Sequence, residues 1–398
     1  MCKPETGNLG ENYGIAEKLS LSFTGIGSLP FKGENAPKVA MNYVFECCPD
    51  FPYWAQLPHF KKEEDMALQF SENLTGLKFD EKECKLYLDD TTDDFFIGLE
   101  TLFVDYESVV NSDNLADCEE ILDKYKISLP YSNTIDIFLN KLKEISNTNQ
   151  SKVPNFTKGA VTGPFTFSTS FCDTNGKSAY YNETLREVIV KTLSLKALWQ
   201  IKEFKKASPK STPVIFMDEP SISQVGSCAF VTVKKEDVIN MLKTISDDIK
   251  KFGALSGVHC CGKTDWDIAI ESGVDIINFD AYFYAQSVGT YAKRLKDFMQ
   301  KGGFLSFGIV PTLDKEALSK LDINRLKEKF SEAMNCLTSK NINKNLILNH
   351  CFITPSCGCG SLDDKMAKHA LSLCSKLSEA LKSETLKSEA LEKTGASL

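Results

Sequence analysis

Pro213-Val214-Ile215-Phe216-Met217-Asp218, then an amphipathic stretch from Lys234 to Phe252, then Ala254-Leu255-Ser256-Gly257-Val258-His259, decide the fold. Two short apolar segments flank a longer one whose apolar residues recur at helical spacing, which is the pattern of a strand, a helix and a second, parallel strand. The alternation extends in both directions. Upstream lie a strand from Thr157 to Thr162 and a helix from Asn182 to Lys205. Downstream, strands are expected at Val274 to Asp280, Phe304 to Ile309 and Leu346 to Cys351, each preceded by a helical segment. Near the start, Leu21 to Ile26 reads as a strand, and Ala36 to Phe45 as a helix with Pro37 in a first-turn position.

At least six strands are therefore visible, and a single-domain α/β fold, the (β/α)8 TIM barrel, accounts for them plus one or two hidden in an insertion at 72–150. An open doubly wound sheet is the alternative, but no Gly-x-Gly-x-x-Gly turn supports it. Residues 1–20 read as a loose polar lead-in, 21–375 as the barrel and 376–398 as a solvated helical tail. Residues 72–150, rich in Asp, Glu and Lys, read as a helical insertion after the first βα unit.

The chain has 398 residues, 42% apolar and 25% charged, enough to bury a large core. A formal charge of -8 excludes the concentrated basic face that nucleic acid or an anionic membrane requires. Only Arg186, Arg294 and Arg325 carry guanidinium groups, so a pocket gripping several carboxylates or phosphates is not expected. The 14 cysteines are spread over a long chain whose Met1-Cys2-Lys3-Pro4 start shows no apolar signal segment, and reduced thiols in a cytoplasmic protein are expected. No run approaches the roughly twenty apolar residues of a membrane span.

The chemistry concentrates at strand ends. In Gly257-Val258-His259-Cys260-Cys261-Gly262, residues two apart point the same way, so His259 and Cys261 face one site and Cys260 turns away. Imidazole and thiolate are donors that zinc favours. Cys357, in the loop Thr354-Pro355-Ser356-Cys357-Gly358-Cys359, would join them because barrel loops after strands share one face. Asp280, ending the next strand, is read as a fourth ligand or as a partner of His259. Asp218 and Glu219 end another strand, where paired acids serve acid–base work or hold a substrate ammonium, although helix capping also suits Glu219 before Pro220. The Ile26-Gly27-Ser28 turn offers backbone N–H groups and a hydroxyl to a substrate carboxylate.

Taken together, Ile26-Gly27-Ser28, Gly163-Pro164-Phe165-Thr166, Asp218-Glu219-Pro220, His259-Cys260-Cys261 and Pro355-Ser356-Cys357-Gly358 resemble the superfamily of cobalamin-independent methionine synthase, zinc-dependent corrinoid-protein methyltransferases and uroporphyrinogen decarboxylase. The resemblance spans about residues 22 to 375. It implies a (β/α)8 barrel, Zn2+ held by His259, Cys261, Cys357 and Asp280, and an amino-acid thiol held by Ile26, Ser28 and Asp218. The family has Glu where this chain has Asp280. Ser170 stands where the synthase carries a Trp that stacks on folate, and no arginine precedes Arg186 to meet the porphyrin carboxylates of a decarboxylase. The implied function is methyl transfer to a thiol such as homocysteine, as in methionine biosynthesis, with a small-molecule methyl donor or a corrinoid protein as partner. A methyltransferase acting on another thiol, a non-catalytic methyl-donor or corrinoid-binding protein, and a closed structural zinc site recruiting Cys260 or Cys359 are the competing readings.

Overall fold

The structure, a computed structural model, describes residues 9–80 and 85–394. Its strands are β1 (Leu77–Asp80), β2 (Lys85–Leu88), β3 (Phe156–Thr162), β4 (Cys172–Asp173), β5 (Thr212–Asp218), β6 (Leu255–Cys260), β7 (Ile276–Asp280), β8 (Phe304–Val310) and β9 (Cys351–Pro355). Six of them form an all-parallel sheet in the order β3-β5-β6-β7-β8-β9, with helices packed on it. The chain is thus an α/β protein of the expected alternating kind.

Two further extended segments flank this sheet. Leu21 donates its N–H to the Cys351 carbonyl at 2.7 Å, and Ile353 donates to the Ser22 carbonyl at 2.8 Å. On the other edge, Trp54 N–H meets the Lys158 carbonyl at 3.0 Å and Lys158 N–H meets the Pro52 carbonyl at 2.9 Å. The two segments meet each other through a parallel bridge between Ser28 and Gln56, with Leu29 N–H donating to the Gln56 carbonyl at 2.9 Å. The expected strand at Leu21 to Ile26 is thus extended and paired but irregular. Leu21 sits at φ 54°, and Gly25 lets the Tyr53 ring approach so closely that a Cβ there would lie 2.3 Å from it.

Period-two alternation sorts the strand side chains. On β5, Val214 and Phe216 join an apolar cluster with Phe51, Phe156, Ile276, Phe304 and Phe352, while Ile215 and Met217 belong to the larger core under the helices. Leu19 completes the smaller cluster from the end of helix Leu9–Leu19, so the described part of the lead-in is an ordered helix rather than a loose segment.

The expected strand at Leu346 to Cys351 lies further on, at Cys351–Pro355, and Lys344–Asn349 is helical. Asn343 explains the difference: its side chain accepts from the N–H groups of Asn345 and Leu346, starting a helix where an apolar run suggested a strand. The insertion is mainly helical, with Asp93–Val110 and Ile135–Thr148 its longest elements, but it also holds the hairpin β1–β2 that composition did not reveal. A continuous helix, Asp364–Thr394, crosses the expected tail boundary at 375, and it buries Leu371, Cys374 and Leu377. Among the described residues no helix is long and apolar enough to cross a membrane.

Phe352 is fully buried, its ring 5.8 Å from that of Phe51. Phe352→Ala is expected to lower unfolding stability by about 3 to 5 kcal/mol in urea titration. A loss well under about 1 kcal/mol would show that this apolar cluster does not hold the sheet together.

Candidate metal centre

The parallel register sets three inward-facing residues side by side. Asp218 on β5 pairs with His259 on β6, and His259 pairs with Asn278 on β7. Cys261 lies just beyond the end of β6, and Cys357 arrives from the loop after β9. One donor atom from each of His259, Cys261 and Cys357 lies within 4.8 Å of the others. His259 is buried, whereas both cysteines are partly exposed. Cys260 points the other way into the outer core, as alternation predicts.

The loop carrying Cys357 is held on two sides. Thr312, past the end of β8, accepts the Cys357 N–H at 3.1 Å through its hydroxyl and donates that hydroxyl to the Cys357 carbonyl at 3.0 Å. Ser28 takes the other side, its hydroxyl accepting from Gly360 N–H at 3.2 Å and its carbonyl from Cys359 N–H at 2.9 Å. Gly358 is needed here, since a Cβ at that position would stand 2.2 Å from the Ser28 oxygen. The Ile26-Gly27-Ser28 turn therefore buttresses the Cys357 loop.

Charge in this site is shared. Hydrogen bonds from Cys357 and then His259, together with the His259 charge, hold the Cys261 thiol well below its usual range, at about 4, against the opposing effect of burial. Cys357 is pushed far up because it donates to that thiolate and is buried. Burial works to lower His259, yet Cys261 and Asp218 raise it above its ordinary value. Two sulfurs and an imidazole nitrogen thus converge where a soft cation could replace their protons.

Asp218 is buried, which raises its carboxyl, while His259 and Lys158 oppose that rise. Its Oδ1 has no hydrogen-bond partner. The resident cation beside it is Lys158, on β3, which donates to the Ile26 carbonyl and lies 4.5 Å from the Phe216 ring centroid. Burial lowers the Lys158 ammonium to about 8, and Asp218 partly offsets this.

The two other expected acids hold helices. Glu219 accepts from Phe165 N–H at 2.8 Å, Thr166 N–H at 2.9 Å and the Thr166 hydroxyl at 2.7 Å, so both its oxygens are engaged at the start of helix Pro164–Ser170. Burial still raises its carboxyl to about 7. Asp280 caps helix Ala281–Gly289 by accepting Phe283 N–H at 2.9 Å, and it lies outside the group of three. Burial raises it to about 6.

Sequence reasoning missed Asn278, Lys158 and Thr312. The first two carried a usable signal, since each is a polar residue two positions after an apolar inward one, Ile276 and Phe156 respectively.

Parallel α/β architecture with a His, Cys, Cys cluster at the carboxyl ends of its strands is thus the class that fold and site define. Comparison with protein-family models gave no match, and comparison with curated proteins gave none. Among solved structures, the chain is similar to a B12-independent methionine synthase from Shewanella sp. W3-18-1 in complex with selenomethionine. The TM-score is 0.54 at 14% identity, covering 92% of this chain and 99% of that one. At that identity the likeness is one of fold. A Cellulomonas fimi endo-beta-1,4-mannanase double mutant also matches, over 93% of this chain and 74% of that one, but its TM-score of 0.38 and 11% identity carry no argument.

Lys158 gives the site a testable alkaline signature. With a folded value near 8 against an ordinary 10.5, the native protein has released a proton that the unfolded chain still binds between those values. Stability contributed by this group therefore rises with pH across that window and is lowest below it. Between pH 8 and pH 10, Lys158→Met should gain about 2 kcal/mol less unfolding free energy than the parent protein, measured by denaturant titration at both values. Equal gains would show that Lys158 is not desolvated.

Proposed function

We propose that the chain is a zinc-dependent methyltransferase, built as a single (β/α)8 barrel with a helical insertion, that transfers a methyl group to a small thiol such as homocysteine. The observation that carries this reading is the convergence of His259, Cys261 and Cys357 from remote stretches of sequence. The barrel part is supported by the pairing of residues 21–28 with β9, of 51–56 with β3, and of these two segments with each other.

The donor set fits zinc. One nitrogen and two sulfurs suit a tetrahedral ion bound at about 2.0 Å and 2.3 Å, which requires the donors to lie roughly 3.5 to 4 Å apart. The 4.8 Å group is already close to that arrangement. Among the described residues the group has three members, which favours a fourth position left to substrate over a closed structural site. Cys359 and Cys260 lie outside it.

Zinc, when bound, would lower the pKa of a substrate thiol so that it reacts as thiolate at neutral pH. The chain's own groups orient that substrate. The unpartnered Oδ1 of Asp218 is an acceptor waiting for a donor, and a substrate ammonium supplies one. The turn at Ile26, Gly27 and Ser28 stands on the other side of the Cys357 loop and would meet the substrate carboxylate. Glu219 sets the Gly163-Pro164-Phe165-Thr166 corner through its three hydrogen bonds. Asp280 would act as an exchangeable fourth ligand by loosening its cap on helix Ala281–Gly289, which suits a ligand that leaves when substrate enters. A corrinoid protein is the proposed methyl donor, since Ser170 removes the stacking surface a folate would use.

His259→Ala and Cys261→Ala should each lose bound zinc and all methyl transfer to homocysteine from methylcorrinoid and methylfolate donors, with the circular dichroism spectrum unchanged. Metal analysis finding full zinc occupancy in either variant would overturn the assignment.

A further inference from the structure

The His259 ring has two nitrogens, and one is already committed. Its Nδ1 faces the Oδ1 of Asn278 within hydrogen-bonding distance. A neutral imidazole carries a single N–H, so a ring nitrogen that meets an acceptor must hold it, and the lone pair then resides on Nε2. The question becomes what turns the oxygen of Asn278, rather than its NH2, toward the ring.

The surroundings answer it. The two hydrogens of Asn278 Nδ2 are shared among three acceptors, the Ser306 hydroxyl at 2.6 Å, the Thr354 hydroxyl at 2.7 Å and the Ser306 carbonyl at 3.2 Å. The hydroxyls rotate and accept either orientation, but a backbone carbonyl only accepts. A flipped amide would set oxygen against oxygen at Ser306. Asn278, Ser306 and Thr354 are fully buried, so no solvent rescues the wrong orientation. The hydrogen bonds run across four consecutive strands, β6 to β9, and end at Thr354, three residues before Cys357.

From this geometry we infer that Asn278 is a positioning residue that selects the Nδ1–H tautomer of His259 and so presents Nε2 to a metal ion. The amide supplies an acceptor without a charge. It therefore orients the ring while leaving Asp218 as the acid beside His259 in the strand register. This inference rests on the metal reading of the site, and its test separates the two.

The experiment measures zinc affinity by chelator competition, and thermal unfolding of the metal-free forms, for the parent protein, Asn278→Leu and Asn278→Asp. Leu has similar bulk and no acceptor, so zinc should bind about 10- to 100-fold more weakly. Asp keeps an oxygen facing Nδ1 and should recover affinity to within about threefold of the parent, whatever it does to thermal stability. Unchanged affinity in Asn278→Leu, or equal losses in both variants that track their unfolding temperatures, would overturn the inference and leave a packing role. Should Asn278→Leu fail to fold, long-range 1H–15N spectra of the zinc-loaded parent decide instead: protonated Nδ1 with ligated Nε2 supports the inference, and the reverse overturns it. A parent protein that binds no zinc would instead sink the metal reading. The tautomer would then still be read from the metal-free spectrum above the His259 titration, where protonated Nδ1 supports the role of Asn278 and protonated Nε2 overturns it.

Discussion

Parallel hydrogen bonding between neighbouring strands is the constraint from which the site follows. Because Asp218, His259 and Asn278 are register partners on adjacent strands, their side chains stand side by side in the interior without any loop having to place them. Cys261 follows His259 at the next inward position. Cys261 sits one residue past β6, and Cys357 depends on the loop clamped by Thr312 and Ser28. Rigidity is thus distributed where the ladder stops.

The interior is graded along the strand direction. Phe156, Val214, Ile276, Phe304 and Phe352 form an apolar floor, Lys158, Ser306, Asn278 and Thr354 a buried polar layer, and Asp218, His259 and Cys261 the reactive end. Each strand contributes to more than one level through alternate residues, so a single strand such as Ile276-Ile277-Asn278-Phe279-Asp280 carries floor, polar layer and rim in five positions. Such a layer is stable only while its members are paired, and the Asn278 contacts meet that condition. At the reactive end, by contrast, the Oδ1 of Asp218 has no hydrogen-bond partner.

Much of this was legible in the sequence for a physical reason. Strand and helix periods differ, so alternating segments announced the parallel sheet, and residues two apart on a strand announced that His259 and Cys261 share a face while Cys260 does not. Roles decided by hydrogen bonding to remote backbone were not legible. Glu219 reads as a substrate-site acid ahead of a cap, and the contacts of its oxygens with Phe165 and Thr166 could not be foreseen. The second task of Ser28, whose hydroxyl accepts the Gly360 N–H in the Cys357 loop, was not legible either. The shift of β9 had a local cause, the cap formed by Asn343, that an apolar run at Leu346-Ile347-Leu348 concealed.

The pairing of residues so remote in sequence has a consequence for biogenesis. The Ser20 hydroxyl donates to the Leu348 carbonyl across 328 residues, and Ser378 reaches back to Leu21 across 357. The segment at Leu21 is synthesised well before β9, the strand neighbour it pairs with. Its edge toward β9 stays unpaired while the strands between them are made, a natural point for chaperone engagement.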